Sequence, residues 1–101
     1  MAIKIPRGWQ ELWLTLDSDL QRIAPGLRVD DAMNSGGTLF VVFNHEDLDR
    51  NTLALVNARL AKAEAVAQET CVACGAYGRL CYKGRKISVY CDDHISDWTA
   101  L

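Results

Sequence analysis

The sequence predicts an α+β fold in which a helix, a β-hairpin and a long second helix precede a small cysteine-bearing module. Three patterns carry that expectation. An apolar stripe at helical spacing lies near the N-terminus, a β-branched and aromatic run follows a pair of glycines, and a second helical stripe ends directly beside four clustered cysteines. At 101 residues the chain has the size of one domain, read here as an α-β-β-α core over 1–69 and a C-terminal module over 70–101.

The first helix is placed at about 7–23. Trp9, Leu12, Trp13, Leu16, Leu20 and Ile23 trace one helical face; Pro6 is tolerated before the first turn, and Pro25-Gly26 stops the run. Leu27, Val29 and Ala32 then alternate with polar residues, Asn34-Ser35-Gly36-Gly37 supplies a turn, and Thr38 to Phe43 reads as a second strand. Because that strand is apolar at nearly every position, it is expected to be covered on both faces. Polar residues 44–51 offer N-caps for a second helix whose stripe is Leu53, Val56, Leu60, Ala63 and Ala67, ending near Glu69. Tyr77 to Tyr82 and Lys86 to Cys91 flank Lys83-Gly84-Arg85 as a second hairpin, and a short helix is expected after it.

Cysteines 71, 74, 81 and 91 all fall in the last third, and without a secretory signal such clustering reads as metal binding rather than a disulfide framework. Cys71-Val72-Ala73-Cys74-Gly75 and Cys91-Asp92-Asp93-His94 form two knuckle-spaced pairs around the hairpin. That spacing fits one zinc ion held by Cys71, Cys74, Cys91 and His94 in a treble-clef-like or ribbon-like module. Cys81 is the alternative fourth ligand to His94, and otherwise a core residue. Four protein donors fill a tetrahedron, so the ion is expected to be structural. Asp92 and Asp93 are read as acids at the start of the following helix. A Cys71/Cys74 redox pair is the rival reading, although a redox motif of that kind follows a strand and opens a helix, the reverse of the order here.

The remaining candidates are weaker. Net charge is −2, which argues against a surface built to coat nucleic acid, yet Arg79, Lys83, Arg85 and Lys86 gather near Tyr77, Tyr82 and Tyr90 and form candidate partner or phosphate contacts. Trp98 reads as a cap on the module or as an anchor for a partner. His45, beside Glu46 and Asp47, is assigned no role. No nucleophile elbow, zinc-protease, P-loop or dinucleotide motif occurs, so a non-enzymatic protein is expected. The longest apolar run, Leu39 to Phe43, is far shorter than a membrane span, and a cytoplasmic location is expected.

Three segments in order resemble a family of small bacterial and prophage proteins: Gly8-Trp9 opening an amphipathic helix, Gly36-Gly37-Thr38-Leu39-Phe40, and Thr70 to Gly75 followed by Cys91-Asp92-Asp93-His94. The chain departs from that pattern at Asp31-Ala32-Met33-Asn34, where the family has a basic approach to the strand. The resemblance implies zinc binding and a mobile-element setting, and names no reaction. In size and in the lack of catalytic motifs the chain is also similar to small phage inhibitors of the anti-CRISPR type. The expected partner is therefore a host protein or ribonucleoprotein complex, with nucleic acid as the alternative and no membrane.

Overall fold

The structure is a computed structural model and describes residues 2–101. Two helices and two three-stranded sheets make up the α+β architecture. A short strand β1 (Ala2–Lys4) leads through a 3-10 turn at Arg7–Trp9 into α1 (Gln10–Ile23). The hairpin follows as β2 (Val29–Ser35) and β3 (Thr38–Phe43), then α2 (Arg50–Ala67). The C-terminal module carries β4 (Arg79–Lys83), β5 (Lys86–Tyr90) and β6 (Thr99–Ala100).

Both helices form where the apolar spacing places them. On α1 the buried positions are Trp13, Leu16 and Leu20, and Ala24 N–H closes the last turn on Leu20 O at 2.8 Å. On α2, Asp49 is the N-cap, its carboxylate accepting from Thr52 N–H at 2.7 Å, and Val56, Leu60, Ala63 and Ala67 form the buried stripe. Alanine at two of those four positions lets the helix approach its neighbours closely. Arg59 on α2 donates to Asp19 on α1 at 2.8 Å, tying the two helices where both side chains are largely covered.

In the first sheet, β2 runs antiparallel to β3 and parallel to β1. Gly36 and Gly37 alone make the hairpin turn, with φ of 61° and 84°, while Asn34 and Ser35 belong to the ladder opposite Leu39 and Thr38. The expectation that β3 is covered on both faces is corrected: Leu39 is buried, but Phe40 and Val42, pointing to the opposite face, are 50% and 40% exposed. α2 packs on β3 and α1 packs on α2, and apolar content at consecutive positions does not by itself supply a second covering layer.

The second sheet has the order β5-β4-β6. The short helix expected after His94 is absent. Two separate turns, closed by His94 N–H to Cys91 O and Trp98 N–H to Ile95 O, carry the chain into β6 against β4. Ser96, inside the second of these turns, adopts a left-handed conformation with φ of 49°, which interrupts any helix. The Trp98 ring instead packs on Tyr90, 5.1 Å between centroids.

Candidate metal centre

Cys71 and Cys74 lie in the segment between α2 and β4, and Cys91 and His94 lie just beyond β5, so the β4–β5 hairpin brings the two pairs together. Their four ligand atoms all lie within 4.8 Å of one another. Cys74 Sγ and Cys91 Sγ are 3.6 Å apart, and His94 Nδ1 is 3.2 Å from Cys91 Sγ and 3.9 Å from Cys71 Sγ. Cys71 and Cys91 are buried while Cys74 and His94 face solvent. Three thiols and an imidazole in this arrangement are able to hold a metal ion. Cys81 is not among them: it is fully buried, and its thiol donates to Arg79 O at 3.2 Å.

The local backbone prepares the Cys71 sulfur for the thiolate form. Gly75 N–H returns to Cys71 O at 2.9 Å and Cys71 N–H donates to Ala76 O at 2.8 Å, closing the knuckle. Burial pushes the Cys71 thiol up, but amide donors from Cys91, Ala73 and Cys74 together with the Cys74 thiol outweigh it and bring its pKa from 9.0 down to about 7. The Ala76 amide favours the Cys74 thiolate, but desolvation and the neighbouring Cys91 and Cys71 sulfurs prevail and hold its pKa above the ordinary thiol value. Neighbouring sulfurs of this kind cannot all ionise unaided, and a cation placed among them would remove that conflict.

Two residues that the sequence marks only as a helix opening prove to hold the knuckle in place. Gly8 N–H donates to Val72 O at 2.8 Å, and the Trp9 indole donates to Thr70 O at 2.7 Å. A side chain at residue 8 would bring its Cβ within 2.0 Å of Cys71 O and 2.7 Å of Gly75 N, so only glycine fits this approach. The adjacent Gly8-Trp9 pair was the available signal, but the partner segment lies more than sixty residues away and is not visible in any local pattern.

The basic residues of the hairpin are divided. Arg79 pairs with Asp92, and Lys83 pairs with Asp97 at 2.5 Å. Asp92 thus serves as an ion-pair partner, not as a helix-start acid. Arg85 and Lys86 are exposed and form no ion pair among the described residues. Tyr77 is also exposed, and Tyr90 and Trp98 are half-buried against each other. His45 is exposed beside Phe43, away from the cysteines in sequence and in the cluster. Among the described residues no helix is long and apolar enough to cross a membrane. Comparison with protein-family models, curated proteins and solved structures finds no significant match to this chain.

Proposed function

We propose that the protein holds one structural zinc ion on Cys71, Cys74, Cys91 and His94 and works by binding a macromolecule, without catalysing a reaction. The observation that carries the metal reading is the convergence of three sulfurs and one imidazole nitrogen within 4.8 Å. A tetrahedral zinc with bonds of about 2.3 Å to sulfur and about 2.0–2.1 Å to nitrogen has sulfur–sulfur edges of about 3.8 Å and sulfur–nitrogen edges of about 3.5–3.6 Å. The sulfur–nitrogen separations of 3.2 and 3.9 Å bracket the latter edge, and the Cys74–Cys91 sulfur separation of 3.6 Å lies close to the former. Thiolate-rich donor sets also suit zinc over harder cations. When bound, the ion supplies a cross-link between the two ends of the β4–β5 hairpin and stabilises the thiolates.

Four protein donors complete the coordination shell, which leaves no position for water or substrate and favours a structural role. The binding role in a phage or prophage setting, directed at a host protein or ribonucleoprotein complex as anti-CRISPR-type inhibitors are, is supported by the motif order in the sequence and by its size. Elemental analysis with native mass measurement tests the first half: one zinc per chain is expected, and a metal-free chain with a Cys71–Cys74 disulfide, lighter by two hydrogens, overturns it. Expression in a bacterial host under phage challenge, with the Cys71→Ser/Cys91→Ser variant as control, tests the second. Protection of phage from CRISPR interference that the variant lacks is expected, and equal plaque counts with and without the protein remove the inhibitor reading.

A further inference from the structure

We infer that Cys74 and Cys91 form a redox switch within the cluster, in which peroxide joins their sulfurs as a disulfide and the metal ion is released. The inference rests on the metal reading above and names the regulation of that same site. The sulfurs are not equally placed. Cys71 and Cys91 are buried, whereas Cys74 faces solvent and borders a surface cavity of about 470 Å³ lined also by Arg7, Gln10, Glu11 and Thr15. An oxidant therefore reaches the sulfurs from the side of Cys74. Cys81, the remaining thiol, is fully buried and bound to Arg79 O, outside both the cluster and the lining of that cavity.

Behind Cys74 stands a second sulfur that can resolve it. Cys74 Sγ and Cys91 Sγ are 3.6 Å apart, and a disulfide bond is about 2.05 Å long, so closure asks for about 1.6 Å shared between two side chains. The two residues come from opposite halves of the site, Cys74 from the knuckle before β4 and Cys91 from the end of β5. A bond between them takes one donor from each half. Cys71 and His94, whose Sγ and Nδ1 are 3.9 Å apart, then supply only half of a tetrahedral shell, which is too little to retain zinc.

The chemistry is a two-electron oxidation. The Cys74 thiolate attacks one oxygen of hydrogen peroxide; an S–O bond forms, the O–O bond breaks, and the departing hydroxide takes a proton to become water. The Cys91 thiolate then attacks the sulfenic sulfur of Cys74; an S–S bond forms, the S–O bond breaks, and a second hydroxide leaves as water on taking a proton. Two thiolates, one peroxide and two protons thus give one disulfide and two waters, and a dithiol reductant reverses the change. The disulfide keeps the two ends of the β4–β5 hairpin joined. What changes is Cys71, left without the ion on the segment that Gly8 and Trp9 grip.

The test starts from the full chain purified under reductant, loaded with zinc, freed of reductant and titrated with hydrogen peroxide. Free zinc is followed with a chromogenic chelator, and thiols and disulfides are located by non-reducing peptide mapping with fragmentation. The expected result is loss of one zinc per chain in step with a Cys74–Cys91 disulfide, with Cys71 and Cys81 left as free thiols and zinc binding regained after dithiothreitol. Cys74→His keeps four donors but removes the attacking sulfur, and is expected to slow release about tenfold or more, whereas Cys81→Ser leaves it unchanged. Where Cys74→His does not hold zinc, the peptide map of the parent chain decides. A reduced chain that binds no zinc removes the metal reading and this inference with it. A zinc-loaded chain that keeps its ion at peroxide concentrations sufficient to oxidise a free thiol, or that releases it without a Cys74–Cys91 disulfide, overturns the switch and leaves the metal reading standing.

Discussion

Replacing Gly8 with alanine puts the smallest possible side chain where the N-terminal turn meets the cysteine knuckle. The added Cβ would lie 2.0 Å from Cys71 O and 2.7 Å from both Gly75 N and the Val72 carbonyl carbon, all backbone atoms with no rotamer to yield. Ordinary carbon contacts begin near 3.5 Å, so the two segments must part by more than about 1 Å. That separation breaks the Gly8 N–H to Val72 O bond and pulls on the Trp9 indole bond to Thr70 O. Each of these two covered bonds, once broken, costs about 1–3 kcal/mol, giving about 2–6 kcal/mol in all, a large part of the stability of a domain this size. Thermal unfolding monitored by circular dichroism, beside chelator competition for zinc, reads both consequences: a melting temperature lower by ten degrees or more, scaled at about 4–8 °C per kcal/mol, and weaker metal retention. Leu14→Ala, at a position 65% exposed on α1, serves as the control and is expected to shift neither. A Gly8→Ala protein that melts and holds zinc like the parent would refute the docking of the helix start on the knuckle.

Cys81→Ala is expected to keep one zinc per chain while costing about 1 kcal/mol of stability, whereas His94→Ala loosens the metal in chelator competition; loss of zinc from the Cys81 variant would reassign the fourth ligand. The Asp49 carboxyl is held below its ordinary 3.8 by the Thr52 amide, so its contribution is present above that value and is lost as pH falls through the lower folded value. Asp49→Ala should therefore flatten the acid limb of a stability–pH profile, and an unchanged limb would count against the cap. Arg59→Met should cost about 1–2 kcal/mol in urea unfolding, because it removes the largely covered pair that ties the helices and leaves Asp19 with Arg22 alone, while Arg22→Ala, at the exposed partner, should cost under about 0.5 kcal/mol. In a Trp13→Phe/Trp98→Phe background, zinc removal should shift Trp9 emission to the red as its bond to Thr70 O loosens; an unmoved spectrum after verified metal loss would show the knuckle and the helix start to be uncoupled.

What could be read from the sequence was what is local. The stripe from Trp9 to Leu20 runs from a 3-10 turn into α1 and the stripe from Val56 to Ala67 lies within α2, and both are buried as their spacing demands. The pairing of Cys71 with Cys74 and of Cys91 with His94 is likewise set within four residues, and the hairpin between them supplies the rest. What could not be read depends on distant partners. β1 and β6 are three and two residues long, too short for any period, and exist because β2 and β4 offer them an edge. That His94 and not Cys81 lies in the cluster is a matter of tertiary placement: Cys81 is buried with its thiol bound to Arg79 O. The exposed side of β3 was unreadable for a related reason, since hydrophobicity at Phe40 and Val42 states a preference for burial but not whether this chain provides the cover.

The C-terminal module has little apolar interior of its own. Among residues 70–101 the buried side chains are Cys71, Cys81, Ser88, Val89 and Cys91, so a single aliphatic group accompanies three cysteines and a hydroxyl. Two of those cysteines are in the ligand cluster, and the third is spent on a backbone carbonyl. Burial of this extent does not by itself hold an ordered module of this length. Its stability has one source in attachment to the larger core and would have a second in the metal ion proposed above. The attachment is visible in Val72 and Leu80 packed against the main cluster, Val72 N–H bound to Val89 O, Asn34 bound to Ser88, and Trp9 bound to Thr70. Gly8 and Trp9 therefore stand where the two sources meet, because the segment they grip is the one that carries Cys71 and Cys74. The Gly8-Trp9 pair and the cysteine knuckle are separated by the length of the core in sequence and form one structural element in space.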